Sequence, residues 1–455
     1  MAATSDFGVP RSNDQAVDGM LSGWHWSVTS LTYSFPATKS FYEYGPERQT
    51  FDAFNATQKN AATAALRAIA GFADVTFTRV TESSSVRGDL RFAESDAPET
   101  AYAFYPGPRK GGDAWFNKLD YNTPRLGTYA YHTILHEIGH SMGLKHPHEL
   151  DNFGRVPAAR NTIEFSVMSY RSYAGSTIKY LTYAADSAPQ SYMMLDIAAL
   201  QHMYGANFQF RASDTVYSFG PSTGVMFVNG NKIGDPAGDT IFRTIWDGGG
   251  VDTFDLRNYT TNLRVDLNPG SWSLLSSAQR ADLGDGHFAR GNVFNALLYH
   301  DDTRSLIENV NAGRGNDVVR GNAADNTLSG GGGTDLLFGA DGSDRILGGN
   351  GDDRLRGNSG DDFLYGGAGN DNILGGFGND TIDGGQGNDQ IDGGAGNDIL
   401  AGSTGNDTAY FSGPQAAYTV STLDGTTTVF ELAVQETDTL TGIEAIQFSD
   451  FLLIV

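Results

Sequence analysis

An aspartate recurs every nine residues through the last third of the chain, and so regular a repeat leaves few folds open. The repeated positions are Asp317, Asp335, Asp344, Asp353, Asp362, Asp371, Asp380, Asp389, Asp398 and Asp407. Asn326 occupies the one missing step of the series. An apolar residue or alanine follows each repeated position by two, and a glycine precedes nearly all of them by two. The unit is therefore a glycine-rich turn joined to a short apolar segment.

The chemistry of one unit predicts a parallel coil. Six residues rich in glycine form a tight turn, and three residues form a strand whose middle side chain points inward. Two units complete one turn of the coil, so aspartates 18 residues apart lie above one another. Stacked carboxylates repel, and Ca²⁺, which prefers many oxygen ligands, would hold them together. A flexible glycine-rich linker is the alternative, but the matched apolar position in eleven copies argues against it.

Charge and composition exclude several classes of function. The 455 residues carry a formal charge of −24, which argues against binding to nucleic acid or to an anionic membrane surface. The chain has no cysteine, so disulfides, thiol catalysis and cysteine-ligated metals are excluded. We find no apolar stretch long enough to span a bilayer and no Sec-type signal peptide at the N-terminus.

The first half of the chain has a different, α+β pattern. Helices are predicted over 58–72, 128–144 and 191–204, and strands over 75–80 and 90–92. Short strands are predicted at 225–228 and 253–256, and two more, at 418–421 and 428–434, are expected to cap the coil. We expect two parts, a catalytic domain over 1–205 and a β-roll domain over 206–455 with its repeats at 311–409.

The second predicted helix carries the motif with the clearest chemistry. His136 and His140 are four residues apart on one helix face, so both imidazoles can reach one ion. Gly143 allows a left-handed exit from the helix that returns His146 as a third nitrogen ligand. Three imidazoles without a thiolate suit one catalytic Zn²⁺ with a fourth position open to water. Glu137 lies beside that water as the candidate general base.

Other residues near the motif have more than one interpretation. Met168 alone would be a core methionine in a turn, but behind an extended zinc motif it is typical of a Met-turn under the metal. Tyr170 follows it and is a candidate for an oxyanion donor or a further zinc ligand. His132 is interpreted as solvated or as a partner of a zinc ligand, and His148 as exposed.

Together the zinc motif, the segment Ser166-Val167-Met168-Ser169-Tyr170 and the nonapeptide repeat resemble the serralysins, zinc endopeptidases of the metzincin group. The resemblance covers nearly the whole chain and implies a metzincin-like α+β catalytic domain followed by an all-β parallel RTX β-roll. It also implies a short pro-segment within the first 20 or so residues. It assigns His136, His140 and His146 to zinc and Glu137 and Tyr170 to catalysis.

The resemblance implies further calcium ligands ahead of the repeats. The segment from Trp246 to Asp252 is similar to a calcium loop of that family. The residues assigned to calcium in this way are Arg211, Asp214, Asp247, Gly249, Asp252 and Glu308. The repeat aspartates are assigned to calcium as well, so the resemblance predicts several structural Ca²⁺ ions beside one Zn²⁺.

As a serralysin-like protein, the chain is expected to be a secreted bacterial endopeptidase, exported without a Sec signal. The resemblance implies protein and peptide substrates, a protein inhibitor, a type I secretion apparatus that reads the terminal segment 450–455, and a monomer. The segment between His146 and Met168 is short for the family, so the family's side-chain preference does not transfer.

Two alternatives remain at this point. One is a calcium-dependent surface or matrix-binding protein whose protease domain is vestigial; the intact histidine and glutamate set argues against it. The other is a processing protease with one dedicated partner, which no residue pattern separates from a broad protease.

Overall fold

The computed structural model describes residues 3–455, so Met1 and Ala2 of the predicted catalytic domain lie outside the described residues. Four α-helices are described: α1 (Gln15–Asp18), α2 (Ala56–Phe72), α3 (Tyr129–Ser141) and α4 (Met194–Tyr204). Five short 3₁₀ helices lie at Lys39–Phe41, Pro46–Arg48, Ser277–Gln279, Thr303–Ser305 and Gln415–Ala417. Within the described residues, no helix combines the length and the apolarity needed to cross a membrane.

Side-chain caps determine where the long helices begin. The Asn55 side chain accepts the backbone N–H of Gln58 while the Gln58 side chain accepts that of Asn55, so α2 begins two residues before the predicted start. Thr128 caps α3 by accepting the N–H of Tyr131, close to its predicted start. The third predicted helix begins at Met194 and not at 191, because the Asp196 carboxylate accepts the N–H of Met193.

The strands of the first half build one five-stranded sheet beside a two-stranded ribbon. The strands are β1 (Ser5–Phe7), β2 (Trp24–Trp26), β3 (Ser30–Ser34), β4 (Thr76–Arg79), β5 (Leu90–Glu94), β6 (Ala101–Ala103) and β7 (Asp113–Phe116). The order β4-β3-β5-β7-β6 is parallel except for β6, which pairs antiparallel to β7 at the edge. The ladder groups on the outer side of β6 are therefore available to another extended chain.

The middle of the chain consists of short strands that lead into the coil. They are β8 (Val216–Phe219), β9 (Met226–Val228), β10 (Asn231–Ile233), β11 (Arg243–Ile245), β12 (Thr253–Asp255), β13 (Arg264–Asp266), β14 (Trp272–Ser273), β15 (Asp282–Gly284), β16 (His287–Phe288), β17 (Val293–Asn295) and β18 (Asn309–Asn311). Strands β12 and β18 already pair in parallel and begin one face of the coil.

The coil itself has two parallel faces formed by alternating strands. The strands are β19 (Val318–Arg320), β20 (Thr327–Gly332), β21 (Leu336–Asp341), β22 (Arg345–Asn350), β23 (Arg354–Ser359), β24 (Phe363–Ala368), β25 (Asn372–Phe377), β26 (Thr381–Gln386), β27 (Gln390–Ala395), β28 (Ile399–Thr404) and β29 (Thr408–Tyr410). Even-numbered strands lie in a 13-stranded sheet and odd-numbered ones in a nine-stranded sheet. Paired residues are 18 apart, as in Ile373 with Ile391, so the predicted two units per turn is confirmed.

The predicted three-residue strand is wrong for most of the coil. Nine successive strands, β20 to β28, contain six residues each, because pairing resumes at the second residue after the apolar segment and includes the next one, as at Gly376 and Phe377. Gly376 pairs with Gly394 in this way. The turn is therefore confined to the three residues that end in the aspartate, such as 378–380.

The end of the chain closes both faces. Strands β30 (Tyr418–Leu423), β31 (Thr426–Glu431) and β32 (Thr437–Thr441) extend the first sheet, and β33 (Ala445–Gln447) and β34 (Leu452–Ile454) extend the second. The predicted cap is therefore present, although its second strand ends three residues earlier than expected.

Two large apolar cores both include residues of the middle segment. The first surrounds α2, α3 and α4 and also takes in six residues that follow position 205: Phe242, Trp246, Ala281, Leu283, Ala289 and Phe294. The second runs the length of the coil, with each inward residue from Val319 to Ala409 at most 1% exposed. Because the first core crosses the predicted boundary at 205, the division into 1–205 and 206–455 stays a prediction.

Candidate active site and calcium sites

Three imidazoles converge at the end of α3. His136 Nε2 lies 3.2 Å from His146 Nε2, and His140 Nε2 lies 3.0 Å from the same atom. The three nitrogens therefore lie close enough together to bind one metal ion. Among the described residues, His136, His140 and His146 are the group of three histidines for which this is so. Nitrogen atoms this close, each with a lone pair facing the others, fit a shared cation.

The second ring nitrogen of each imidazole is held by an acceptor. His136 Nδ1 donates to Val167 O at 2.9 Å and His140 Nδ1 donates to Leu144 O at 2.7 Å. His146 Nδ1 donates to the carboxylate of Glu149 at 2.7 Å. These bonds place the proton on Nδ1, so Nε2 presents its lone pair to the metal.

Burial keeps the helix-borne imidazoles neutral. It lowers the pKa of His140 to about 3 and that of His136 well below its usual value, with neighbouring imidazoles adding to the effect. A neutral imidazole is the form that binds Zn²⁺. The donors present therefore fit a zinc ion, with three nitrogens and no competing thiolate.

Glu137 lies between these histidines in a buried position. Its Oε2 has no hydrogen-bond partner among the described residues, and burial raises the pKa of its carboxyl to about 8. A bound cation nearby would oppose that rise by favouring the carboxylate. An unpartnered carboxylate oxygen beside three metal donors suits a group that accepts a proton.

The predicted exit from the helix is confirmed at Gly143. The helix ends at Ser141, and Gly143 has φ +107°, a conformation that disfavours other residues. A side chain there would also collide with the carbonyl of Trp24. The exit carries His146 back to the helix it left.

A methionine lies beneath the metal donors, as the Met-turn prediction requires. Met168 is fully buried, and its sulfur occupies the space that a side chain on Gly139 would fill. The turn is held from below by Asp196, whose carboxylate accepts bonds from Val167 N at 2.8 Å and Ser166 Oγ at 2.7 Å. Because Val167 O in turn accepts from His136, the bonds connect α4 to a metal donor.

Tyr170 packs against the donor set through its ring. The ring centroid lies 4.4 Å from that of His146 and 5.6 Å from that of His136. Burial, with the charges of Glu137 and Glu149, raises the pKa of Tyr170 to about 12, so the hydroxyl keeps its proton. A protonated phenol at this place can donate a hydrogen bond.

The remaining two histidines of the cluster differ from each other. His132 is buried and donates from Nε2 to Val167 O at 2.8 Å, which agrees with a role beside a zinc ligand and not with solvation. The expectation of an exposed His148 is wrong: it is half-buried because its ring stacks 5.5 Å from that of His146.

A narrow cleft runs beside Glu137. It has a volume of about 60 Å³, and Thr100 and Ala101 at the edge strand β6 line it. His136 and Glu137 line the same cleft. The sheet edge and the metal donors therefore face the same space.

Two columns of carboxylates run along the coil. In each column Oδ1 of one aspartate accepts the backbone N–H of the aspartate 18 residues earlier, as Asp389 does from Asp371 at 2.8 Å. Oδ2 is buried without a partner at Asp335, Asp344, Asp353, Asp362, Asp371, Asp380, Asp389, Asp398 and Asp407. Burial, opposed in part by the backbone bond, raises the pKa of Asp353 to about 7. Buried unpartnered oxygens facing a turn suit Ca²⁺.

The ends of the columns differ from their middles. Asp317 accepts the N–H of Leu263 and of Gly313, so both its oxygens have protein partners. At the other end Asp438 accepts the N–H of Asp398, and Glu444 accepts that of Asp407. The sequence does not predict these last two residues, because a hairpin breaks the period of nine. Asp438 follows Asp398 by 40 residues, and Glu444 follows Asp407 by 37.

A third acidic cluster lies at the start of the coil. Asp247 and Asp252 are fully buried, and Glu308 accepts the backbone N–H of Asp252 at 2.6 Å. Burial, and then the charges of Asp247 and Glu308, raise the pKa of Asp252 to about 8. Asp252 Oδ2 has no partner among the described residues. Buried carboxylates gathered here, with one oxygen unpartnered among the described residues, fit a calcium ion.

The other residues predicted for this cluster lie around it. Gly249 donates its N–H to Asp247 at 3.2 Å, and Asp214 is exposed and accepts the N–H of Val251. Arg211 donates to the hydroxyl of Tyr217, which donates to Asp247. The side chain of Arg211 is thus one step removed from the carboxylates.

Comparison with known families agrees with this geometry. Residues 25–153 match the Matrixin family, and residues 311–346, 338–373, 347–382 and 374–409 match the RTX calcium-binding nonapeptide repeat. Serralysin of Proteus mirabilis is 32% identical over 66% of this chain and 60% of its own length. Serralysin C of Dickeya chrysanthemi is 36% identical over 64% of this chain and 58% of its own length.

The predicted resemblance to the serralysin family is confirmed. Metalloprotease AprA of Pseudomonas entomophila (strain L48) is similar as well, at 32% identity over 69% of this chain and 65% of that protein. The chain spans about 60% of the length of the first two relatives. The predicted fold class is confirmed, with a matrixin-type catalytic domain ahead of an RTX β-roll. Zinc and calcium are the cofactors indicated by the two family matches and the histidine cluster.

Proposed function

We propose that this serralysin-like chain is a zinc-dependent endopeptidase that hydrolyses peptide bonds in proteins. The observation that carries the proposal is the convergence of His136, His140 and His146 beside the unpartnered carboxylate of Glu137. The three imidazoles would hold the zinc, and the acidic side chain beside them performs the proton transfer.

The chemistry divides between the metal and the chain. A zinc ion bound by the three imidazoles supplies a Lewis acid that activates water and polarises the substrate carbonyl. Glu137 accepts a proton from the attacking water and returns it to the leaving nitrogen. Its buried position excludes bulk water, which strengthens the electrostatic interactions during both transfers.

Tyr170 is proposed to donate a hydrogen bond to the negative charge that develops on the carbonyl oxygen. Its ring lies against that of His146, and its raised pKa keeps the hydroxyl protonated at neutral pH. A hydrogen-bond donor that binds the carbonyl oxygen only as negative charge forms on it stabilises the transition state more than the substrate.

The substrate is proposed to lie extended along β6. The strand Ala101–Ala103 is at the sheet edge, antiparallel to β7, and its neighbour Thr100 lines the cleft that reaches Glu137. Main-chain hydrogen bonds to such an edge hold many sequences in the same register. This favours unfolded or flexible proteins as substrates over one dedicated partner.

The carboxylate columns support a function outside the cell. Calcium is scarce in the cytosol and abundant outside, and the nine unpartnered aspartate oxygens need a cation. We therefore propose that the column aspartates, with the Asp247 cluster, bind several Ca²⁺ ions after secretion through a type I apparatus. A monomer, and a protein inhibitor at the cleft, belong to the same proposal.

The calcium-dependent binding protein with a vestigial protease domain has less support. All three imidazoles, their Nδ1 acceptors, the Met168 turn and Glu137 are in place. A domain without catalytic function would have no need of an unpartnered buried carboxylate, which destabilises the fold.

The test compares the zinc-loaded chain with its Glu137→Gln variant on casein, with metal content measured by mass spectrometry. Glutamine keeps the size and loses the base, so the rate should fall by about 10²–10⁴ while one zinc per chain is retained. Near-normal turnover by a zinc-loaded variant would overturn the mechanism. Absence of cleavage by the zinc-loaded parent would overturn the function.

A further inference from the structure

A second and larger cavity lies away from the cleft, between the helices of the first core and the strand β11. Its volume is about 500 Å³, within the range of cavities that bind small molecules. The wall contains side chains of α2, α3 and α4, and it shares no lining residue with the cleft beside Glu137. Exposed Ala64 and Arg67 of α2 form part of its rim, so the cavity is open to solvent there.

One arginine in this wall has no counter-charge. Arg243 is 5% exposed, yet it forms no ion pair with any described residue. Its Nη1 donates only to the sulfur of Met226, at 2.9 Å, and its Nε has no partner. A buried charge without a partner destabilises a folded protein strongly. Something other than the described chain should therefore neutralise it.

Another buried arginine shows how this chain pairs such a charge. Arg91 is 1% exposed and donates from Nε and Nη2 to the two oxygens of Asp113, at 2.7 and 2.5 Å. The lining of the cavity around Arg243 contains no aspartate or glutamate among the described residues. In a chain of net charge −24, a cavity with one buried arginine and no acid in its lining is unusual enough to indicate an anionic ligand.

Two further arginines contribute positive charge, and the rest of the wall is mostly apolar, with Gln190, Ser191 and Thr244 as its polar side chains. Arg211 and Arg67 line the cavity with Arg243. The pKa of Arg243 is lowered to about 10, because burial penalises the charge and Arg211 adds repulsion; the guanidinium nevertheless stays charged at neutral pH.

Five aromatic side chains form part of the remaining wall. They are Phe72, Tyr131, Tyr192, Phe210 and Trp246. A ligand that fits must therefore present one negative group to Arg243 and an apolar body to these rings.

We propose that this cavity binds an organic monocarboxylate with an apolar, aromatic or aliphatic body, and that Arg243 holds the carboxylate. A guanidinium and a carboxylate match each other with two parallel hydrogen bonds, which is the pairing that Arg91 makes with Asp113. The apolar body fills the space between α2 and β11. The site is independent of the proposed peptidase activity.

The experiment measures binding by calorimetry to the full chain loaded with zinc and calcium. The Glu137→Gln variant serves as host, because self-cleavage would otherwise complicate the titration. The probe is 4-phenylbutanoate, and the matched ligands are 4-phenylbutanol and 4-phenylbutylammonium. The carboxylate should bind at one site, and the alcohol and the ammonium at least about tenfold more weakly. Equal binding of all three, or of none, would overturn the proposal.

Variants of the arginine make the test specific. Arg243→Met should weaken 4-phenylbutanoate at least about tenfold. It should also raise the melting temperature without ligand, because an unpaired buried charge is replaced by an apolar chain of similar length. Arg280→Met is the matched control: Arg280 is half-buried with an unpartnered Nε but lies outside the cavity, so its loss should leave binding unchanged.

The melting temperature separates a ligand site from a structural role. If Arg243 only supported the fold, Arg243→Met would lower the melting temperature and leave any binding of the probe unchanged, and that result would overturn the proposal.

Discussion

The catalytic part and the β-roll are stabilised in opposite ways. Around α3 the core gathers apolar side chains of many sizes from distant positions, from Val9 to Phe294. In the coil each nine-residue unit contributes one buried apolar side chain and one buried aspartate, which is asparagine only at Asn326. Residues 311–407 contain 16 Asp and 5 Arg with no Glu or Lys, a charge of 5 − 16 = −11.

The difference shows what each part requires before it can fold. A mixed apolar core stabilises its own fold through burial. The coil buries little apolar surface per residue, and its charge opposes compaction. Its folding free energy must therefore come largely from a bound cation. The catalytic part, which holds the active site, is therefore expected to fold without calcium. The β-roll is expected to fold only when calcium is bound.

The largest expected effect is the loss of the coil when calcium is removed. In the Glu137→Gln chain, dialysis into calcium-free buffer with zinc maintained should abolish amide protection in residues 311–409. Strands β3 to β7 should keep most of theirs. Hydrogen exchange read by mass spectrometry checks both regions in one sample.

The comparison would fail in two ways. Full protection of 311–409 without calcium would show that the coil needs no cation. Equal loss of protection from β5 and from the coil would show that the two parts unfold as one unit. That outcome is possible in principle because the first core includes residues after position 205.

A smaller effect is expected from the hydroxyl of Tyr170. Tyr170→Phe keeps the ring that packs on His146 and removes the proposed donor. The value of kcat should fall by about 10²-fold with little change in KM, because the bond forms with the transition-state charge. Steady-state kinetics on a peptide substrate decides this, and a change confined to KM would assign Tyr170 to substrate binding. Calcium affinity of the coil should be unaffected.

The two parts also differ in how far the sequence predicts them. The period of nine predicts the two-unit turn, the inward residues and the aspartate columns, because every contact in the coil repeats its neighbour. The predicted length is wrong for most coil strands, because the second glycine after the apolar segment pairs in the ladder and does not belong to the turn. Asp438 and Glu444 were missed where the hairpin breaks the period.

Around the metal donors, the spacing predicts the three histidines and Glu137 but not what orients them. Glu149 follows His146 by three residues and could have been suspected as its partner. Val167 O and Asp196 lie 31 and 60 residues from His136, and only the folded chain brings them together. Nothing in the sequence singles out Arg243, because its burial in β11 depends on helices far away along the chain.

A still smaller effect, on the calcium midpoint of folding, is expected when one aspartate column loses a charge. Asp371→Asn keeps the Oδ1 that accepts the N–H of Asp353, and Asn326 already occupies such a position in the native chain. Removing the charge should raise the calcium midpoint of folding roughly three- to tenfold. Asp424→Asn is the control, because Asp424 lies in a turn at φ +50° that asparagine also adopts. Calcium titrations followed by circular dichroism compare the two, and equal midpoints would remove Asp371 from the binding site.

The smallest effect concerns pH, and its sign depends on calcium. Burial raises the pKa of Asp353 and of Asp380 to about 7, above the ordinary value of 3.8. Between pH 4 and 7 the folded coil without calcium binds protons that the unfolded chain does not. Its stability should therefore increase as pH falls through 7 and decrease as pH rises.

Calcium needs the carboxylate form, so protons compete with it at the same oxygens. The calcium midpoint of the coil should therefore be higher at pH 6 than at pH 8, while a metal-free coil shows its residual structure at the lower pH. Circular dichroism of the full Glu137→Gln chain, titrated with calcium at both pH values, measures the shift. A midpoint independent of pH would mean that the column aspartates stay ionised in the folded chain, and that their backbone bonds outweigh the effect of burial.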